Sequence, residues 1–429
     1  MHAVVVPFLV ATVACAPPPA RVDPRPDRPR YVLNVRVTRP FRVVSGDLSV
    51  TFSPNRPTDR LVFRLWPNGP SQRRAGSGLD VGRVTSAGAT LRVERPNPTT
   101  LTVRLGRTLS SGSRIIVHLP WRLRMPSTHN DRIARFRDGL RLGTFFPLLA
   151  WDPRRGWLRD PPARILGETA ATPAADFDVH VHAPSGLRVV ATGEELGAGR
   201  FRAHAVRDLG LAVGRFRIRS LVDGAVRLRV ASTAHPRQAS SELKVARRAL
   251  RLLAQRYGPY PWRTYTLVVP PDLPPSGIEY PMLSFIGDSG AYARLIVDHE
   301  TAHQWFYSLV GNDQARDPWL DETLATWAQT RLGSTELPPA QRLPMGVGRH
   351  VGAPMSYWDK QGQWFFYGVY GEGVKALHSL GNDAAVDCAL RRYVARRAYT
   401  IAQPGDLLDE LNRVIPGAER RLRAWGIRR

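Results

Sequence analysis

From residue 31 to about 215, apolar and polar residues alternate along the chain. YVLNVRVTRPF, GDLSVTFSP, DRLVFRLWP, ATLRVERP, TLTVRLG, RIIVHLPWRL, FDVHVHAP and LRVVATG all follow this period of two. Successive side chains of a strand point to opposite faces, so the pattern predicts strands with one face buried. Turn residues separate these segments at short intervals, as in an antiparallel sandwich or saddle. After about residue 215 the period changes. VRLRVAS, TYTLVVPP and YPMLSFIG still read as strands. The rest is mostly helical: ASSELKVARRALRLLAQRY at 239–257, with Ser240 and Ser241 as caps, then 291–310, 319–333, 366–380, 383–398 and 405–413. The predicted fold class is α+β, with an N-terminal β domain at 31–215 and a mainly helical domain at 216–429.

The first residues carry a different signal. AVVVPFLVATVA, residues 3–14, is too short an apolar run to span a bilayer and fits the core of a signal peptide. It ends at Ala14-Cys15, a junction that resembles a bacterial lipoprotein processing site. The expectation is a signal peptide at 1–15 with lipidation at Cys15. Residues 16–30, rich in Pro and Arg, then form an extended tether. The protein is expected to be exported, and either lipid-anchored at the outer face of the cell membrane or secreted. With Cys15 in the leader, Cys388 has no obvious partner, and no disulfide is expected.

A length of 429 residues allows two or three domains. The 36 Gly and 37 Pro agree with a turn-rich, partly β architecture. A net charge of +25 suggests a nucleic-acid partner. The distribution argues otherwise: apart from Lys244, Lys360 and Lys375, all 61 basic residues are arginine, scattered through every segment. No nucleic acid is expected as a partner.

The candidate chemistry lies in IVDHETAHQWFYSLVGNDQARDPWLDETLATWAQ. His299 and His303 are four apart, so a helix places both imidazoles on one face, where they can hold one Zn²⁺. Glu300 follows the first His and can reach a water on the metal without binding it, the place of a general base. A hydrolytic zinc site takes a third protein ligand and keeps one position open. Glu322, near the start of the next predicted helix, is the candidate. The cofactor expected is one Zn²⁺ per chain.

These residues carry a family resemblance. His299-Glu300-Thr301-Ala302-His303, its continuation Gln304-Trp305-Phe306, and Trp319-Leu320-Asp321-Glu322 resemble the M1 family of zinc aminopeptidases, which are gluzincins. Tyr257-Gly258-Pro259-Tyr260-Pro261-Trp262 is similar to a segment that precedes the family's substrate-binding strand. The resemblance implies a thermolysin-like catalytic domain and peptide substrates. It also implies further site residues. The family's exopeptidase motif falls on Ser276-Gly277-Ile278-Glu279-Tyr280, making Glu279, with Gly277, the binding site for the substrate's free amine. Ile278 and Tyr280 depart from the family pattern. The family's oxyanion-stabilising tyrosine falls on Tyr370, with Tyr367 its rival, and Gln329 stands where a residue orients a zinc-bound His. Larger members add a C-terminal helical domain that closes over the site. This chain runs to Arg429, which implies a more open cleft. The function expected is a zinc aminopeptidase. Two alternatives remain: a zinc endopeptidase of relaxed specificity, which would cleave N-blocked peptides, and a surface lipoprotein that uses the fold for binding alone.

Overall fold

The computed structural model describes residue 15 and residues 17–429, apart from 129, 165–170, 198, 234–235, 289 and 335–342. The expected signal peptide therefore lies outside the described residues, except for Cys15. Among the described residues no helix is long and apolar enough to cross a membrane.

The alternating segments form strands as their pattern requires. In Arg30–Val37, for example, Tyr31, Leu33, Val35 and Val37 point into the core while their neighbours face outward. This strand lies within the largest sheet, flanked by Val43–Phe52 and Ala175–His182. The pairing with Val43–Phe52 is antiparallel, as expected, but that with Ala175–His182 is parallel, running from Arg30 opposite Asp176 to Arg36 opposite His182. Strands this far apart in sequence are joined by no hairpin, so no turn dictates their direction. Gly139–Gly143 and Gly210–Gly214 also pair as strands, and every residue in them is buried. Their alternation is erased because both faces are covered.

Strand pairing changes between Gly214 and Arg217. Every strand from Arg217 to Ile286 joins a five-stranded sheet ordered Arg217–Asp223, Val226–Ser232, Thr264–Val269, Leu283–Ile286, Gly277–Tyr280. The helix Pro236–Tyr257 makes the crossover between the parallel strands Val226–Ser232 and Thr264–Val269. Gly277–Tyr280 is the antiparallel edge strand. The two halves share apolar core: Val190 and Ala212 pack in one cluster with Tyr280, Leu283 and Phe285.

Helices Ala293–Ala302 and Trp319–Thr330 follow the sheet. Trp305, Trp319, Trp327 and Trp358 are fully buried around them. Asp387, on the helix Asp383–Arg397, accepts hydrogen bonds from Trp327 Nε1 (2.9 Å) and the Tyr257 hydroxyl (2.9 Å), tying three helices together.

Two expectations for the N-terminal segment are corrected. Cys15 forms a disulfide with Cys388, 373 residues away. A sulfur in a disulfide cannot also carry a thioether-linked lipid, so the bridge and lipidation at Cys15 exclude one another. The stretch after it is no free tether. Val22 N–H donates to Ala395 O (3.0 Å), the Arg21 guanidinium to Pro259 O (2.6 Å), and Arg28 pairs with Asp176 (2.8 Å). The segment is held along the surface of both halves by polar groups that a Pro/Arg-rich composition supplies. The consequence is measurable: without reductant, the denatured protein should react with no thiol reagent, and Cys388→Ser should lower unfolding free energy by about 2–4 kcal/mol. A free Cys388 thiol in the purified protein would contradict the bridge.

Candidate metal centre

The helix carrying His299 and His303 was expected to continue to residue 310 but ends at Ala302. The His303 side chain explains why. Its Nδ1 lies 3.1 Å from Phe306 O, the carbonyl that a continuing helix would offer to the Val310 N–H. That N–H turns instead to Trp305 O (3.0 Å). The chain then bends back through Tyr307, at φ 112°. The return brings the helix Trp319–Thr330 alongside, with Glu322 in its first turn.

Three donor atoms converge. Nε2 of His299 and Nε2 of His303 are 3.0 Å apart, and Glu322 Oε2 is 3.4 Å from each. Zinc bonds of about 2.0–2.2 Å at tetrahedral angles place ligand atoms about 3.3–3.5 Å from one another. The triangle is therefore of the size that one Zn²⁺ requires, and its chemistry, two imidazoles and a carboxylate, is that of an open zinc site. The rings meet edge to face at 84°, so each points a nitrogen into the same space.

The other ring nitrogens are held. His299 Nδ1 lies 3.0 Å from Gln329 Oε1, and His303 Nδ1 lies 2.7 Å from Asp321 Oδ1. An acceptor at each Nδ1 keeps the proton there and turns the Nε2 lone pair to the metal. Asp321 is in turn fixed by Gln314 Nε2 (2.7 Å). Sequence reasoning placed Gln329 beside a ligand histidine but missed Asp321. The available signal was an acidic residue directly before Glu322 in WLDE. Burial works to raise the Glu322 pKa, but the facing His299 and His303 rings outweigh this and hold the carboxyl well below its usual range.

Glu300 sits one residue beyond His299, only 4% exposed. Its Oε2 is buried without a protein hydrogen-bond partner. Burial, with the Glu279 and Glu322 carboxylates adding to it and His303 opposing, pushes its pKa well above the usual carboxylate range. Gly277 leaves room for it: a Cβ at that position would overlap the Glu300 carboxylate. A glycine on the edge strand is what lets strand and helix approach so closely.

Glu279, two residues along the same strand, is also 4% exposed. One carboxylate oxygen each from Glu279 and Glu300, with a ring nitrogen of His303, falls within a 4.8 Å span. Glu279 is not alone, however: Arg132 of the β half donates to its Oε1 at 3.2 Å. Tyr280, the departure noted in this motif, turns into the β half. A Cβ on Gly143 or on Gly210 would overlap its ring, so these two glycines form the slot that accepts it.

Tyr370 reaches the site from the far side. Its ring stacks on His299 at 5.8 Å and 16°. Burial, and then the facing Glu322, raise its phenol pKa well above 10. The segment Phe366–Glu372 is wound as a π-helix before continuing as the α-helix Gly373–His378, where sequence periodicity predicts one α-helix. Thr323, next to Glu322, donates to Val369 O at 2.6 Å and pins this segment to the Glu322 helix. Tyr367 instead packs on Trp364 (5.5 Å). His299, His303, Glu322, Glu300, Glu279, Gly277 and Tyr370 thus lie around one space, and Cys15 does not.

The α+β chain thus places two histidines and one carboxylate on two packed helices beside a mixed sheet edge, the donor set of an open zinc site. Residues 241–347 match the Peptidase family M1 domain, a segment that spans Gly277, Glu279, His299, Glu300, His303 and Glu322. Over that segment the chain is similar to peptidase family M1. Among curated relatives, Aminopeptidase RNPEPL1 of Mus musculus is 42% identical over 81 residues, 18% of this chain and 11% of that protein. Aminopeptidase B of Rattus norvegicus is 38% identical over 85 residues, 18% and 13% of the two chains. The matched segment thus spans about an eighth or less of these relatives' length. Among solved structures, an M1 zinc metallopeptidase from Deinococcus radiodurans superposes with a TM-score of 0.67 at 22% identity, covering 94% of this chain and 95% of that one. This last likeness shows a shared fold over nearly the whole chain.

Proposed function

We propose that this chain is a zinc-dependent aminopeptidase that releases residues from the free N-terminus of peptides. The observation that carries the proposal is the triangle of His299, His303 and Glu322 donors, with sides of 3.0 and 3.4 Å, lying beside the buried carboxylates of Glu300 and Glu279.

Zinc held there supplies Lewis acidity for the scissile carbonyl and an acidified water as nucleophile. Glu300 is placed to take the proton from that water and return it to the leaving amine. Its raised pKa suits a group that must accept a proton and then give it up. Tyr370 keeps its proton, because burial and Glu322 oppose ionisation, and so can donate to the oxyanion as charge develops. Glu279 offers a buried carboxylate to the substrate ammonium, which sets cleavage one residue from the terminus. Asp321 and Gln329 hold the imidazoles in register.

Export into an oxidising compartment is part of the same proposal. The apolar run before Cys15 and the Cys15–Cys388 bridge support it.

One observation favours a second reading. The Arg132 partner on Glu279 offsets the negative charge that would select for a free amine, as a zinc endopeptidase of relaxed specificity would require. A panel of fluorogenic peptides with free or N-acetylated termini separates the two. The aminopeptidase reading predicts acetylated peptides cleaved at least about 30-fold more slowly, the effect of removing one partner from a buried charge pair. Equal rates on both series would favour the endopeptidase.

A further inference from the structure

We propose that Arg132 is the positioning residue for Glu279, so that the β half of the molecule supplies part of the subsite for the substrate terminus. The inference rests on the aminopeptidase reading and goes beyond it, because it makes free-amine recognition depend on a residue outside the catalytic half.

Arg132 is 6% exposed and enters from the loop before the strand Ile133–Phe136. Asn130 shapes that loop, its Oδ1 accepting from the Arg132 N–H at 3.3 Å and the Ile133 N–H at 3.2 Å. The guanidinium carbon lies 6.0 Å from the centre of the Trp66 ring and 5.8 Å from that of Tyr280. One arm donates to Glu279 Oε1 at 3.2 Å, the other to the Tyr280 hydroxyl at 3.3 Å. Tyr280 is itself seated in the slot between Gly143 and Gly210. The fork is therefore held at both arms.

Such a fixture has a physical purpose. Glu279 is buried close to the Glu300 carboxylate, and a buried negative charge beside another is costly without a partner. Arginine is a permanent cation whose planar fork holds a carboxylate in one orientation. Arg132 thus holds Glu279 aimed before substrate arrives, and the ammonium meets an anchor that needs no rearrangement. The same contacts account for the departure at position 280: a tyrosine there is long enough to reach both the glycine slot and the guanidinium.

The test uses Arg132→Met and Arg132→Lys in the full chain loaded with zinc. Zinc content and steady-state kinetics are measured on a free-amine peptide, together with inhibition by its des-amino analogue, which lacks the ammonium. The expected result for Arg132→Met is a KM raised about tenfold or more, a kcat within about threefold of the parent, and an unchanged inhibition constant for the des-amino analogue. Arg132→Lys, which keeps charge but not the fork, should fall between. An unchanged KM, or a des-amino inhibition constant that rises in parallel, overturns the proposal. Should Arg132→Met lose its zinc, Arg132→Lys decides at full zinc content: a KM raised several-fold supports the proposal, a parental KM overturns it. A parent enzyme that binds the free-amine peptide and its des-amino analogue equally well contradicts the aminopeptidase reading itself. A parent that discriminates, alongside Arg132 variants that do so equally well, contradicts only the role of Arg132.

Discussion

Replacing Glu300 by Gln is expected to lower kcat on peptide substrates by about 10²–10⁴, the range for loss of a positioned general base, while leaving zinc content at one per chain. The substitution keeps the volume of the side chain, which matters because Gly277 packs directly on it. It removes the one buried carboxylate in the site that neither faces a ring nitrogen at bonding distance in the triangle nor pairs with Arg132. Glu322 Oε2 faces both imidazoles, so zinc affinity rests there and not on Glu300. Two readings would fail on distinct outcomes. Loss of zinc in Glu300→Gln would make Glu300 a ligand. Turnover at the parental rate would exclude it as the base.

The opposite separation is expected for Glu322→Ala. The donor triangle loses a vertex, and two imidazoles 3.0 Å apart are left to hold the ion. Asp321→Asn is the graded control, because Asp321 meets His303 at its outer nitrogen, Nδ1, and not at the Nε2 of the donor triangle. Loss of such an outer partner costs about 10–100-fold in metal affinity. Glu322→Ala should exceed that and lose activity in proportion to zinc. Competition with a chromophoric chelator would show this as a stepwise rise in zinc dissociation constant from parent to Asp321→Asn to Glu322→Ala. If Glu322→Ala binds zinc as tightly as the parent, Glu322 is not the third ligand.

How much of this was legible in the sequence depended on how local each feature is. The spacing of His299 and His303 is set by one helical turn, so the helix pattern alone puts both rings on one face. Glu322 was readable because it stands near the start of the next predicted helix, where the returning chain can bring a carboxylate to the pair; residues 303–318 make that return. The end of the first helix at Ala302 was not, since it depends on His303 Nδ1 competing for Phe306 O, a side-chain contact that no periodicity encodes. The π-helical winding around Tyr370 was equally hidden. It depends on Thr323 on another helix taking the Val369 carbonyl. Gly139–Gly143 and Gly210–Gly214 escaped the strand pattern because burial on both faces removes the alternation. The long-range pairs were invisible for a different reason. Arg132 is one arginine among dozens, and nothing near it in sequence points to Glu279, 147 residues away. Cys15 read as a leader residue because its neighbours resemble a processing site, whereas its partner lies 373 residues on. Local chemistry was thus readable, and the contacts that join the two halves were not.

The central claim is that Nε2 of His299, Nε2 of His303 and one oxygen of Glu322 share a single zinc ion, with Glu300 beside it and unbound. Diffraction data collected on either side of the zinc absorption edge test it most directly. The account predicts one anomalous peak per chain, about 2.0–2.2 Å from those three atoms. A zinc-loaded protein whose peak lies elsewhere, or is bonded to Glu300 in place of Glu322, would contradict it.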